Sequence, residues 1–365
     1  MRRARADFKY TLRWCKAEEH MRAEALSEKL RGRQVRSFWR EVRALTPQTN
    51  SLPEQVDEAV GENEIAGKWQ RKFGSVLSEI EDSCEEVKLL EELTRTPNSG
   101  ITQVSVNKLQ RITNSLPLSK AIGRDGIPNE FFKYPPLPIL IQVSLYFNCF
   151  LTHSFVPQGV MDVLIVPLVK SKLKDATLSS NYRPLAIATA VSKVFEQLLY
   201  NRLIAFLHSS DNQFGFKKHH STEMCIYSLK ETINYYHDLN IPVFICFIDV
   251  ESAFDRVSYF KVFSKLLACG TLVYLVQLLQ HWYTRQLLQV RWGGAVSAPF
   301  PMHNGIRQGS VLSPHLFSLY VDELNVMLNS SGVGCHIAGV AANNFSYADD
   351  LALVCPSAAA LSGLL

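Results

Sequence analysis

The spacing of apolar side chains predicts helices in the first part of the chain. Residues 5–45 contain no proline, and their apolar side chains recur at helical spacing, which predicts one or two helices. After Pro53, the segment from Ile65 to Leu93 again has a helical pattern, with a strongly acidic face. The polar stretch 94–100, TRTPNSG, predicts a loop, and we place the first domain boundary there.

Later in the chain the pattern mixes helices with strands. Residues 135–161 carry no charge and predict a buried helix that ends near Pro157, because prolines and polar side chains interrupt the run too often for a membrane span. The run Val243–Ile248, VFICFI, is unbroken and apolar, which predicts a strand buried on both faces. Ser313 and Pro314 predict another helix, with serine as the N-cap and proline at the first helical position.

Two groups of acidic side chains adjoin apolar runs. Asp249 directly follows the predicted strand, where a carboxylate is costly unless a cation compensates its charge. Asp349 and Asp350 lie between two apolar half-strands, which predicts a β-hairpin with both acids at its tip. Three carboxylates that converge from two strands can bridge two Mg²⁺ ions, and such a pair clamps the attacking and leaving oxygens of a phosphoryl transfer.

Each acidic group, taken singly, has a plainer interpretation. Asp349 and Asp350 alone fit a solvated turn, and Asp249 alone could cap a helix that begins near Ser252. An unrelated phosphotransferase with an Asp-Asp metal site is a further alternative. An apolar strand adjoins the acids in both places, and this coincidence favours a shared site.

The amino-acid composition excludes several classes of protein. The 365 residues include 38 basic and 34 acidic side chains, and 47% are hydrophobic, which excludes a disordered tail, a collagen-like repeat and a coiled coil. The eight cysteines are scattered without a CxxC pair, so we expect free thiols in a reducing compartment and no structural zinc. The basic N-terminus lacks the apolar stretch of a secretion signal, and we expect an intracellular protein without a membrane span.

Charge is distributed unevenly along the chain. Residues 1–50 carry a net charge of +7, residues 51–100 carry −7, residues 101–200 carry +5, and the last 65 residues carry −3. Basic segments attract phosphate backbones, which suits a nucleic-acid partner. A solvated amphipathic helix explains the basic N-terminal segment equally well.

Six sequence blocks resemble the reverse transcriptases of non-LTR, LINE-like retrotransposons. Three of them contain or follow the acids: VFICFIDVESAFDRV, NGIRQGSVLSPHLF and SYADDLALV. The other three lie upstream: KAIGRDGIPNEFF, LIVPLVKSK with NYRPLAIATAVSKVFE, and DNQFGFKKHHSTEMCIYSLKE. Together they span about residues 118–356 in the family's order, and they leave residues 1–95 largely uncovered.

The resemblance implies an α+β fold with right-hand polymerase fingers and a partial palm, built on an antiparallel sheet of split βαβ type. We assign residues 1–95 to a helical N-terminal arm, 96–240 to the fingers and 241–365 to the palm. The family's remaining palm strands and its thumb have no counterpart before Leu365, so we expect an incomplete palm and no thumb. The family's endonuclease domain likewise has no matching pattern before residue 100.

The resemblance also implies roles for individual residues. Asp249, Asp349 and Asp350 correspond to the catalytic carboxylates that hold two Mg²⁺ ions, or Mn²⁺ in their place. The nucleotide-binding positions correspond to Arg183, Lys170, Phe254, Gln308 and Gly309, with Lys172 an alternative to Lys170. The template-strand contacts correspond to Gln213, Phe214, Gly215, Phe216 and Lys217.

Elementary chemistry supports some of these roles. The planar guanidinium of Arg183 suits a triphosphate. A rigid ring at Phe254 would leave no room for a 2′-hydroxyl and would favour dNTP over NTP, although a core phenylalanine is the alternative. Gly309 would let the backbone approach the nascent base pair, although an ordinary loop glycine also fits.

The sequence therefore predicts an RNA-directed DNA polymerase that transfers a nucleotide from dNTP to a primer 3′-hydroxyl on an RNA template. The alternative is an inactive remnant of a retroelement that retains at most RNA or DNA binding. The expected partners are the RNA template, the DNA primer and dNTP. The sequence leaves open the oligomeric state and the choice between nucleus and cytoplasm.

Overall fold

The computed structural model describes residues 52–78 and 99–365 except residue 172, together with single positions between residues 21 and 97. The chain divides into two contact units, residues 1–53 and residues 54–365. Most of the first unit lies outside the described residues. The positions described between residues 21 and 37 are helical, and for the rest of residues 5–45 the helical assignment stays a prediction. All elements below belong to the second unit.

The helices of the described part are short to medium in length. In chain order they are α1 (Glu62–Val76), α2 (Val106–Asn114), α3 (Asn129–Lys133), α4 (Leu137–His153), α5 (Gln158–Met161), α6 (Ala190–Leu203), α7 (Thr222–Asp238), α8 (Tyr259–Ala268), α9 (Val273–Arg285), α10 (Ser313–Ser330) and α11 (Ala358–Leu364). Two 3₁₀ turns, Ser179–Asn181 and Ala253–Arg256, precede strand β4 and helix α8 respectively.

The strands of the same part form two sheets of three or more strands and two short hairpins. They are β1 (Gln55–Val56), β2 (Ala59–Val60), β3 (Val163–Val169), β4 (Tyr182–Ala188), β5 (Phe244–Asp249), β6 (Leu287–Trp292), β7 (Ala295–Val296), β8 (Phe300–Pro301), β9 (His336–Ile337), β10 (Val340–Ala341), β11 (Asn344–Tyr347) and β12 (Asp350–Cys355). The helices and strands together make an α+β fold, as predicted.

The first sheet carries the acidic residues. Its order is β11-β12-β5 and both pairings are antiparallel, so the predicted hairpin and the predicted strand are neighbours. The prediction that the Val243–Ile248 run is buried on both faces is wrong. Strand β5 lies at the edge of the described sheet, and Phe247 is 73% exposed. An apolar run shows that a strand forms, but the neighbouring elements decide how deeply it is buried.

The second sheet has the order β4-β3-β6-β7, with β8 also paired to β6. Strands β3 and β4 are antiparallel, whereas β3 and β6 are parallel. The antiparallel pair places Arg183 opposite Leu168, near the end of β3. This sheet therefore carries the NYRP motif to one wall of the cleft described below.

Helix α1 packs against the second sheet. Trp69 is fully buried, and its ring centroid lies 4.9 Å from that of Tyr182 and 6.0 Å from that of Trp292. Burial of such large rings supplies much of the energy that holds a helix to a sheet. The division between the two contact units consequently falls after Pro53, ahead of the boundary that we predicted near residue 95.

Two predicted helices form, but one end of each differs from the prediction. Helix α4 ends at His153, where Ser154 adopts a left-handed conformation with φ of 46°, a few residues before Pro157. Helix α10 begins at Ser313, but Leu312 occupies the N-cap position and no side chain caps this end. In the part of the chain that the structure describes, no helix combines the length and apolar character needed to cross a bilayer.

Candidate active site

The hairpin of strands β11 and β12 holds Asp349 and Asp350 at its tip, as predicted. Tyr347 pairs with Asp350, so the turn consists of Ala348 and Asp349, and Ala348 takes a φ of 59°. Asp350, the first residue of β12, pairs directly with Asp249, the last residue of β5. Directly opposed residues of an antiparallel pair point to the same face of a sheet, so the two carboxylates lie side by side.

The side chain of Gln213 holds the Ala348–Asp349 turn in place. Its side-chain oxygen accepts hydrogen bonds from the backbone N–H groups of Ala348, at 3.0 Å, and of Gly215, at 2.8 Å. Its amide nitrogen donates to the carbonyl oxygen of Ala348, at 3.3 Å. Gly215 packs so closely that a Cβ there would lie 2.4 Å from the Ala348 nitrogen. The QFG sequence therefore shapes the acidic turn.

Gln213 is fully buried, and its polar atoms are hydrogen-bonded within the turn. Its contact with a template strand stays a prediction. Lys217 is similarly committed, because its ammonium group donates to the carbonyl oxygens of Ser209, at 2.8 Å, and Ser210. Burial lowers the pKa of Lys217. Both residues support the protein's own backbone.

The two aromatic residues of the same segment differ in exposure. Phe214 is partly buried and lies beside Phe345, with ring centroids 6.4 Å apart. Phe216 is 39% exposed and presents its ring edge-on to Phe254, at 6.1 Å. Phe216 is thus the aromatic side chain of this segment that a base could still reach.

Like charges meet at the acidic turn. Burial, followed by the charges of Asp350 and Asp249, raises the pKa of Asp349. In the described residues, no three His, Cys, Asp or Glu side chains form a ready-made metal-binding group. Mg²⁺ does not require such a cage, because it keeps several waters and binds through one or two carboxylates together with substrate phosphates. The donor set of crowded, oxygen-only side chains fits that cation.

A cleft of about 940 Å³ opens beside the turn, between the two sheets. It brings together most of the residues that the sequence singled out: Asp249, Asp349, Lys170, Arg183, Phe254, Gln308 and Gly309. Asp350 instead faces a smaller groove between β5 and α7, which Asp249 also lines. Asp249 therefore lines both the cleft and the smaller groove.

Two basic side chains line the cleft from the second sheet. Arg183 is an exposed residue of β4, and Lys170 follows the end of β3, where its backbone N–H donates to Asn181 at 2.7 Å. Lys172, the alternative to Lys170, lies outside the described residues. Two cations facing two carboxylates across a cleft suit a ligand that carries both phosphates and bound metal.

Phe254 packs against the core and also lines the cleft. Its ring stacks on Phe317 with centroids 4.5 Å apart and an interplanar angle of 8°, which fixes the ring plane. The ring is only partly buried, and it forms part of the cleft wall. Stacking on a core ring holds the Phe254 ring in one orientation at the cleft wall.

Gly309 is more than an ordinary loop glycine. Its φ is +112°, and a Cβ there would lie 2.9 Å from the carbonyl oxygen of Ala186. The preceding carbonyl, that of Gln308, accepts a hydrogen bond of 2.8 Å from the Ala186 N–H. The turn before α10 thus lies directly against β4, and only glycine allows that approach.

Sequence reasoning missed three charged residues near the cleft. Asp255 lines the cleft, where burial raises its pKa to about 6 against the opposing effects of the Gln308 hydrogen bond and Lys170. Glu196 and Arg307 form a buried ion pair beneath the turn that contains Gln308. Two of these residues adjoin predicted site residues: Asp255 follows Phe254, and Arg307 precedes Gln308. Such adjacency is a weak signal of a role in the site.

An acid-tipped hairpin beside a strand carboxylate, facing a cation-lined cleft, is typical of polymerases that join nucleotides. Residues 170–365 match the family described as "Reverse transcriptase (RNA-dependent DNA polymerase)", which covers more than half of the chain. The chain belongs to the reverse transcriptase family.

Individual relatives are proteins of transposable elements of Drosophila melanogaster. The chain is 30% identical to the probable RNA-directed DNA polymerase from transposon BS over 61% of its length, which covers 25% of that protein. It is 28% identical to the corresponding X-element protein over 56% of its length, covering 23% of that protein. It is 26% identical to the RNA-directed DNA polymerase of the mobile element jockey over 82% of its length, covering 33% of that protein.

The chain therefore spans between 23% and 33% of the length of these relatives. The names of all three relatives contain the words "RNA-directed DNA polymerase". Such names support the non-LTR retrotransposon resemblance that the sequence motifs indicated.

Proposed function

We propose that this chain carries the catalytic centre of an RNA-directed DNA polymerase of a retrotransposon. The observation that carries the proposal is the register of β5 and β12, which sets Asp249 beside Asp350 and brings Asp349 to the mouth of a cation-lined cleft. The reaction is attack of a primer 3′-oxygen on the α-phosphorus of a dNTP, with pyrophosphate leaving. The partners are accordingly an RNA template, a DNA primer and dNTP.

Asp249, Asp349 and Asp350 would hold two divalent cations, Mg²⁺ or Mn²⁺. Bound there, the cations would neutralise charge on the attacking and leaving oxygens. Asp249 would suit contact with both cations, because it lines both the cleft and the smaller groove. Burial and two neighbouring acids raise the pKa of Asp349. A cation bound to its carboxylate would lower that pKa again.

Arg183 and Lys170 bind the triphosphate in this proposal. They line the wall of the cleft across from Asp249 and Asp349. Phe254 lies against the sugar, where its stacked ring excludes a 2′-hydroxyl. The backbone of Gln308 and Gly309 lies against the nascent base pair in this proposal, because both residues line the cleft.

We further propose that residues 96–240 form the fingers and residues 241–365 belong to the palm, as the resemblance implies. The acids lie on the first sheet, whereas Arg183 lies on the second. An intracellular location, nuclear or cytoplasmic, fits the free cysteines among the described residues.

Primer extension tests the function. The full chain is incubated with a DNA primer on an RNA template, Mg²⁺ and the four dNTPs, beside the variant Asp349→Ala. Asp238→Ala is the matched control, because that carboxylate is 83% exposed at the end of α7. We expect extension by the wild type and the control but not by Asp349→Ala. Equal, background-level products from all three would show an inactive remnant instead.

A further inference from the structure

The turn Arg307–Val311 connects the core to helix α10 and contributes Gln308 and Gly309 to the cleft. Neighbouring contacts hold its start in place. The N–H of Gly305 donates to Val257 at 2.7 Å, and the N–H of Ile306 donates to Phe254 at 2.8 Å. The turn is therefore tied to the 3₁₀ segment that carries Phe254.

A single carboxylate organises the rest of this turn. Glu196, in the middle of α6, is fully buried and pairs with Arg307, whose side chain is 1% exposed. The other oxygen of Glu196 accepts from the hydroxyl of Ser310, at 3.0 Å, and from the backbone N–H of Val311, at 2.9 Å. One side chain thus binds both ends of the turn that contains Gln308 and Gly309.

Arg307 is fixed from its other side by aromatic rings. Its guanidinium carbon lies 5.2 Å from the ring centroid of Trp282 and 6.0 Å from that of Tyr283, both on α9. A cation over such rings gains electrostatic attraction where water is excluded. The guanidinium is therefore held between Glu196 of α6 and the rings of α9.

We propose that Glu196 is a positioning residue that sets the Gln308–Gly309 turn for nucleotide binding, with Arg307 as its partner. This inference rests on the proposed polymerase function. Glu196 does not line the cleft, so its effect on the reaction passes through the turn. A buried ion pair is a weak source of net stability, but its directional hydrogen bonds fix one geometry for the groups that it joins.

The informative variant is Glu196→Gln, which keeps the shape and one acceptor oxygen but removes the charge that faces Arg307. The matched control is Leu199→Val, which perturbs packing at another fully buried position of the same helix. Hydrogen exchange of the full-length chain is measured over residues 305–312 and over the hairpin 344–355. We expect faster exchange in the first segment of Glu196→Gln only, and unchanged exchange there in the control.

Steady-state primer extension supplies the second readout. We expect the KM for dNTP to rise about tenfold in Glu196→Gln while kcat changes less than about threefold, because binding geometry rather than the reacting groups is altered. In Leu199→Val the KM should stay within about twofold of the wild type. An unchanged KM in Glu196→Gln, or a rise of the same size in Leu199→Val, would overturn the positioning role.

Failure of the proposed function gives a different result. If the wild type extends no primer beyond the Asp349→Ala background, the polymerase proposal fails, and exchange alone then decides whether Glu196 sets the turn. Unchanged exchange over residues 305–312 in Glu196→Gln would refute the inference whatever the activity.

Discussion

Asp249 and Asp350 pair directly across the antiparallel strands β5 and β12, so two carboxylates of distant sequence lie side by side on one sheet face. Two like charges directly opposed on a sheet are unfavourable, typically by a few tenths to about 1 kcal/mol. We propose that a cation bound by this pair would offset the repulsion. The same register therefore predicts both a cost in stability and a function.

Neutralising Asp350 should separate these two effects. In Asp350→Asn the repulsion from Asp249 disappears, and we expect the free energy of unfolding without divalent cations to rise by about 0.5 kcal/mol. Primer extension should fall at least about a hundredfold, because a metal-binding oxygen is lost. Urea denaturation and extension assays measure the two quantities. Lower stability together with full activity would contradict the account of this pair.

Gln213 should matter for the folding of the acidic turn. Gln213→Leu keeps most of the volume but leaves the N–H groups of Ala348 and Gly215 without their acceptor. Buried, unsatisfied donors cost about 1–3 kcal/mol each, so we expect a loss of about 2–4 kcal/mol in the free energy of unfolding. The matched control is Gln110→Leu, an exposed position on α2, which should change stability by less than about 0.5 kcal/mol. Equal effects of the two changes would rule out the bracing role.

Phe254 should decide between deoxyribonucleotides and ribonucleotides. Phe254→Ala removes the ring that lines the cleft, so we expect the preference for dNTP over NTP to fall at least about tenfold, as measured by the ratio of kcat/KM values. Phe317→Ala is the control, because it removes the stacking partner and leaves the Phe254 ring present. Loss of total activity without any change in the dNTP preference of Phe254→Ala would indicate a purely structural ring.

Asp255 should make stability depend on pH. Burial raises its pKa from 3.8 to about 6, so its ionisation opposes folding. The corresponding contribution to stability is fully present below about pH 4 and is lost as the pH rises through about 6. We therefore expect Asp255→Asn to be more stable than the wild type by about 1–3 kcal/mol near pH 7.5, and the difference to vanish near pH 4.

Urea denaturation at several pH values checks this expectation. Asp238→Asn serves as the control, because an 83% exposed carboxylate should give parallel curves for variant and wild type. A difference between Asp255→Asn and the wild type that stays constant across the range would show that Asp255 titrates normally.

The local features of the site could be predicted from the sequence. The hairpin with Asp349 and Asp350 at its tip and the strand before Asp249 follow from short apolar runs, and the structure confirms them. Burial of that strand could not be predicted, because it depends on which elements pair with β5 rather than on the residues of β5.

The contacts between distant segments were also beyond the sequence. Gln213 lies 135 residues before Ala348, and its neighbours suggested a template contact rather than a buried brace. Glu196 and Arg307 are 111 residues apart, in two different sequence blocks, and nothing in either block indicates that they pair. Charged side chains are expected on the surface, so a buried pair becomes visible only once the fold places α6 beneath the turn.

Incorporation of a single nucleotide tests the proposed polymerase activity most directly. The full chain receives an RNA template, an annealed DNA primer, Mg²⁺ and one dNTP at a time, beside Asp249→Asn. We expect a primer longer by one nucleotide only with the dNTP complementary to the next template base, and no such product from Asp249→Asn. Product that is independent of template or equal in the variant would contradict the proposed activity, as would no product from the wild type.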